Sequence, residues 1–305
     1  MRVLRVRGFA LLLVGQAISE SGNWIATIAI WGFASFRFDV GAGDLALLFV
    51  VLSVPGALLG PLLGVPIDRL GPRRTLLLAN LLGVVDALLL TQANSYTAII
   101  VLALPLGLIE ALATASLDAI PPRLVPDQEL VRANALLGGA QDVAIVIGPL
   151  VAAAVNAHWG LEGAFLADAA TFLVGALVAL RIRVEPVPRP DDDEHVTSTW
   201  RELRDGGSLA RRTRGLRWTL GVAGCVYLLW AVFGVLEPLY VRDVLGGTDA
   251  MFALLQTVFG VGLVLTGLVL AVVGDRVARP RYVALAMIVS GMTAALYLGT
   301  ESEAV

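Results

Sequence analysis

Carboxylates set inside long apolar runs offer this chain most of its chemistry. Glu20, Glu110, Asp142 and Asp168 each interrupt a stretch otherwise suited to lipid. An ionised carboxylate at mid-membrane costs roughly 2.5–3.5 kcal/mol on insertion scales, so acids kept there border water or a partner. Polar residues recur around them at helical spacing. Gln16, Glu20, Asn23 and Thr27 draw one polar stripe along the first apolar run, Glu110 and Thr114 a shorter one, and Gln141 with Asp142 a third. An acid on a cavity that opens to each side in turn can take up a proton on one side and release it on the other. That is the requirement for coupling solute movement to a proton gradient. The alternative is that these groups only hydrogen-bond neighbouring helices. Asp86 and Glu237 fall nearer the expected helix ends and read as interfacial.

The elements that must position these acids follow from composition. Of 305 residues, 57% are hydrophobic and 15% charged, against about 25% charged in soluble domains. The fold class is therefore all-α, a polytopic membrane protein. A lone Cys225, with His158 and His195 the only histidines, excludes an internal disulfide and a multi-cysteine metal site. There is no His-Glu-x-x-His, Gly-x-Ser-x-Gly or phosphate-loop spacing, so hydrolysis and ATP-driven transport lack support, and no cofactor or metal is expected. The expected partners are the lipid bilayer, a small-molecule substrate and protons, with no nucleic acid.

A span needs about 20 apolar residues. That rule places nine helices, near 8–36, 45–67, 74–93, 97–119, 134–158, 161–181, 218–241, 250–273 and 282–299. Met1 to Ser21 has signal-like features, but the apolar stretch runs past Trp31, so it reads as an uncleaved first helix. All the basic residues are arginine, and of the 22 only Arg37 and Arg242 fall on one side of the spans, which puts the N-terminus in the cytoplasm. The Ala, Leu, Val and Gly bias suggests a bacterial gene, hence a bacterial cytoplasmic membrane. Trp31, Tyr96, Trp159, Trp218, Tyr240, Tyr282 and Tyr297 sit near expected helix ends as an aromatic belt, with His158 beside Trp159.

Three regions result: a six-helix bundle over 1–182, a polar linker over 183–217 and three helices over 218–305. In the linker, Asp191-Asp192-Asp193-Glu194 reads as a solvated spacer, and Trp200, Leu203 and Leu209 among arginines as an amphipathic helix on anionic headgroups.

Between the second and third spans lies Gly64-x-x-x-Asp68-Arg69-x-Gly71-Pro72-Arg73-Arg74. Gly71 is placed to break the helix for a tight return, and Gly64 to let a neighbouring backbone approach. The spacing resembles the loop between the second and third helices of the major facilitator superfamily, although there a basic residue usually follows the second glycine directly, where this chain has Pro72. Ala271-x-x-x-Asp275-Arg276-x-Ala278-Arg279-x-Arg281 repeats it after the linker, as expected of duplicated halves.

The resemblance implies six helices per half, three more than follow the linker here, and a truncated twelve-span carrier is the first expectation. It further implies an interlock of Asp68, Arg69, Asp118 and Arg123 at the inner mouth, completed by an eleventh helix that lies outside this sequence. Ala144-x-x-x-Gly148-Pro149-x-x-Ala152-Ala153 looks like a degenerate form of the family's antiporter motif, and equally suits a small-residue packing face. The arginine that many drug antiporters carry in the fourth helix is missing. Gln16-Ala17-Ile18-Ser19-Glu20-Ser21-Gly22, with Leu124-Val125-Pro126-Asp127 and Arg132-Ala133-Asn134-Ala135, resembles the branch that includes macrolide and siderophore exporters. That implies proton-coupled export of amphipathic molecules by alternating access. A non-transporting fragment or membrane partner, and an uptake carrier of the same fold, are the other readings.

Overall fold

The computed structural model describes residues 3–184, 208–209, 211–273 and 280–299. The acidic run at 191–194, His195, Trp200, Leu203, the second basic loop at 275–279 and the acidic tail lie outside the described residues.

Nine helical segments make up the described chain. They are α1 (Arg7–Gly32), α2 (Ala42–Leu70), α3 (Pro72–Leu90), α4 (Tyr96–Asp118), a stretch Leu130–Arg181 that divides at Gly160 into α5 (130–159) and α6 (161–181), α7 (Arg214–Leu239), α8 (Asp249–Val273) and α9 (Pro280–Leu298). Six of the segments are long and apolar enough to cross a bilayer unaided: the first part of α2, then α4, α5, α6, α7 and the first part of α8. Among the described residues α9 has a shorter apolar core at Leu285–Tyr297.

Local chemistry explains the breaks. Gly71 has φ +82°, a region that L side chains avoid, and it ends α2 while Pro72 opens α3 with its φ already set. Thr75 Oγ1 bridges the Pro66 and Gly71 carbonyls and ties the return down. Gly160, φ +71°, makes the equivalent reversal between α5 and α6 in a single residue. Ser95 caps α4 by accepting the Ala98 N–H at 3.2 Å. The space around Gly64 is open, so no backbone approaches it here and the expected close packing at that glycine is not made.

Without a hydrophobic drive between helices in lipid, small residues decide which pairs can touch. A side chain at Gly22 of α1 would strike Thr171 and Asp168 of α6, and one at Gly148 of α5 would strike Trp24 of α1. Gly83 of α3 accepts the Phe172 ring of α6, and Gly107 of α4 lies on the backbone of Leu52 in α2. Ala144, Gly148 and Ala152 are buried along one face of α5, while Pro149 stands within the same helix. Leu58, Val101 and Val131 face outward, as a lipid-contacting surface requires.

The two ends of this bundle differ. One, the hinge face, carries the Gly71 turn and the turn at Pro121–Arg123. At the other, α1 and α7 both run into a π-helical turn, Phe33–Arg37 and Tyr240–Val244, each with its arginine. Arg37 pairs with Glu162 and lies over the Phe33 ring, 4.9 Å from its centroid. Arg242 Nη1 donates to Ser35 O at 2.5 Å and Val40 O at 3.2 Å, and pairs with Asp39 at 3.0 Å. Asn156 of α5 donates to Asp249 of α8 at 2.6 Å. The hydrogen bonds that join the first six helices to α7–α9, and whose partners are both described, lie at this Arg242 face. Val235, Val241, Phe252 and Ala253 extend the apolar core of the first six helices there. Trp31 and Tyr240, expected in an aromatic belt, are interior, whereas Trp159 and Trp218 are exposed.

Candidate functional site

The polar stripe of α1 faces inward. Gln16, Ser19, Glu20 and Asn23 line a small cavity with Asn80 of α3, Glu110 and Thr114 of α4, and Phe172 and Gly175 of α6. Its volume is about 30 Å³, room for about two waters. Gln16 Nε2 donates to Glu20 Oε1 at 2.6 Å, and Asn23 and Gln141 also reach that carboxyl. Glu110 enters from the opposite wall, close enough to interact electrostatically with Glu20. Two stripes expected separately from spacing thus meet at one place. The arrangement suits an acid that exchanges protons with a little water. Salt bridges formed by described residues lie elsewhere, so no arginine neutralises either acid through one.

Other expected residues divide. Asp168 is fully buried beneath Gly22, outside the cavity lining, with Oδ1 against Thr171 and Oδ2 unpartnered. Asp142 is exposed on α5 and does not line the cavity. Gly148 serves the α5–α1 contact, and Pro149 is buried beside it within α5.

The hinge residues do not interlock in this conformation. Asp68, Arg69 and Asp118 are exposed, Arg123 is half-buried, and no ion pair forms among them. Arg74 is exposed, while Arg73 turns to α6, where Nε and Nη2 donate to the Ala179 and Leu180 carbonyls, both at 2.8 Å. An arginine at a helix C-terminus satisfies carbonyls that the helix cannot. Asp118 nonetheless lies near enough to Glu20 to interact with it.

Two acids read as interfacial are interior. Asp86 is 4% exposed and Glu237 is 6% exposed, the latter accepting from Gln256 of α8 at 2.7 Å. Depth along a helix does not fix the face on which a residue sits, and that is why the reading failed. Asn80, the cavity residue that spacing missed, shares with Asp86 the buried face of α3 through Leu76, Gly83 and Ala87. A helical stripe drawn through Thr75, Ala79, Asn80, Gly83 and Asp86 was the available signal.

A bundle of membrane helices with a polar cavity among the first six is the arrangement of a carrier-type membrane protein. The sequence matches the family model for the Major Facilitator Superfamily over residues 12–297, and the chain belongs to that superfamily, which consists of transporters rather than enzymes. It is 25% identical over 276 residues to macrolide efflux protein A of Streptococcus pyogenes, covering 88% of this chain and 67% of that protein. Among solved structures it is similar to a bacterial homologue of the human lysosomal transporter Spinster in an inward-facing, unoccupied conformation, with TM-score 0.63, 17% identity and 88% of this chain covered. The nucleoside transporter NupG, as a D323A mutant, has TM-score 0.68 at 12% identity and covers 90% of this chain. The chain spans 64% of the Spinster homologue's length and 69% of NupG's.

Proposed function

We propose that this chain acts as a secondary carrier that exports amphipathic organic molecules of the macrolide kind in exchange for protons. The observation that carries the reading is the meeting of Glu20 and Glu110 across one polar cavity, with no salt bridge to either among the described residues. The likeness to macrolide efflux protein A supports the direction and the substrate class. In this reading the N-terminus and the hinge face are cytoplasmic, in keeping with the arginine distribution. The Arg242 face is the outer mouth, closed here, and Asp68, Arg69, Asp118 and Arg123, which do not pair with one another, belong to an open inner mouth. Protonation of Glu20 or Glu110 biases which mouth is open, and substrate leaves as the proton enters.

The test is macrolide accumulation in cells that lack other exporters and express this chain. Wild type should lower accumulation, collapse of the proton gradient should restore it, and Glu20→Gln or Glu110→Gln should act as the collapse does at equal membrane abundance. Accumulation unchanged by both substitutions overturns the coupling role, and raised accumulation in wild type overturns export.

A further inference from the structure

Asp86 and Asp168 remain outside the mechanism just described, yet the packing of α3 on α6 sets them level with one another. These helices run antiparallel. Asn80 lies against Gly175, and Gly83 against Phe172, so three residues toward the Arg242 face along α3 match three residues back along α6. One further step brings Asp86 beside the turn that holds Asp168. From α1, Gly22 presses on Asp168 and Thr171, which puts Asn23, a cavity residue, at the same level. Asp168 is 0% exposed and Asp86 4% exposed. Asp86 Oδ2, Asp168 Oδ2 and Asn23 Oδ1 are all buried, and none has a hydrogen-bond partner among the described residues. Thr171 donates to Asp168 Oδ1 at 3.4 Å, and no salt bridge among the described residues reaches either acid. A buried carboxylate so poorly compensated is costly, whereas a carboxyl group that holds its proton is far less so.

The charged groups facing this pair from the helices packed around it are also acids. Glu20 comes from α1 and Glu110 from α4, and Glu110 interacts with Asp168, Glu20 and Asp86 together. The salt bridge nearest in sequence, Arg37 to Glu162, is six residues before Asp168 on α6. Asp86 is four residues from the end of α3, about 6 Å along the axis. The acids therefore form a series between the Arg242 face and the cavity, with Asp86 and Asp168 at one level and Glu110 and Glu20 on the cavity beyond them.

We propose that Asp86 and Asp168 form a proton-holding station between the Arg242 face and the Glu20–Glu110 cavity, so that protons reach the coupling acids through the first six helices and not through the cleft between the two parts. The proposal rests on the coupling role given to Glu20 and Glu110. Each transfer moves one proton from a carboxyl O–H to a neighbouring carboxylate, directly or across a water. Asp86 then recovers its proton from water at the Arg242 face, and no other bond changes. Such a route leaves the central cleft to the substrate.

The probe is dicyclohexylcarbodiimide, which modifies protonated carboxyls in apolar surroundings, with the modified peptides located by mass spectrometry. The whole chain is placed in sealed vesicles of one orientation, with the pH set independently on each side. Acidifying the Arg242 side should raise modification of Asp168 several-fold, acidifying the hinge side should not, and Asp86→Asn should remove most of the response while Asp168 stays reactive. Modification that ignores the pH of the Arg242 side, or that survives Asp86→Asn unchanged, overturns the station. Labelling needs no transport, so the two readings fail separately. A sided response at Asp168, with normal export by Glu20→Gln and Glu110→Gln, upholds the station and removes the coupling role. Lost export in those variants, with no sided response, does the reverse.

Discussion

A single side chain decides how closely α1 lies on α6. Gly22 leaves room for Asp168 and Thr171, and any β-carbon there meets both. Gly22→Val should therefore cost about 1–3 kcal/mol through overpacking, read as a lower temperature at which the detergent-solubilised protein loses its monodisperse peak. Gly64→Ala, at an open position of the hinge, should leave that temperature unchanged. Arg73 is a second residue with a definite task, donating to the last carbonyls of α6. Its truncation to alanine removes charge-assisted bonds at a partly exposed site, so a loss of about 1 kcal/mol is expected, with faster backbone hydrogen exchange confined to residues near Ala179. The charge of the hinge motif was plain from sequence, whereas the acceptor of Arg73 lies 106 residues away. No local spacing encodes such a partner.

At the level of elements, helix existence was legible because long apolar runs and Gly or Pro punctuation act locally. Gly71 divides two helices as expected, and Gly160 falls in the gap between the spans expected at 134–158 and 161–181. Helix rotation was less legible. The stripe on α1 was strong enough to show its face, but α3 spreads Asn80 and Asp86 across one buried side among apolar neighbours, and depth alone was a poor guide there. Contacts between the two parts were invisible, since Arg242 reaches the turn at Ser35–Val40 across some 200 residues of chain. That contact predicts a mechanical role. In a Cys225→Ala background, Asn156→Cys with Asp249→Cys should cross-link readily, because the native side chains lie 2.6 Å apart. Adding Arg242→Ala should cut the cross-linking yield several-fold, while Asp39→Asn should cut it less, because the backbone carbonyls of Ser35 and Val40 still hold the guanidinium. An undiminished yield in Arg242→Ala would show that the arginine does not hold the two parts together.

On the scale of the whole molecule, the described helices are closed at the Arg242 face by hydrogen bonds and a shared apolar core, and the hinge face lacks its expected ion pairs. Alternating access requires the reverse arrangement to be accessible as well, and in the proposed exchange protonation of the buried acids biases the choice between the two. The most direct test is to add a macrolide to the purified, weakly buffered protein in detergent and follow the pH. Exchange predicts release of about one proton for each macrolide bound, with release abolished in Glu20→Gln or Glu110→Gln and retained in Asp142→Asn. Saturable macrolide binding with no proton released by the wild-type chain would contradict proton-coupled exchange.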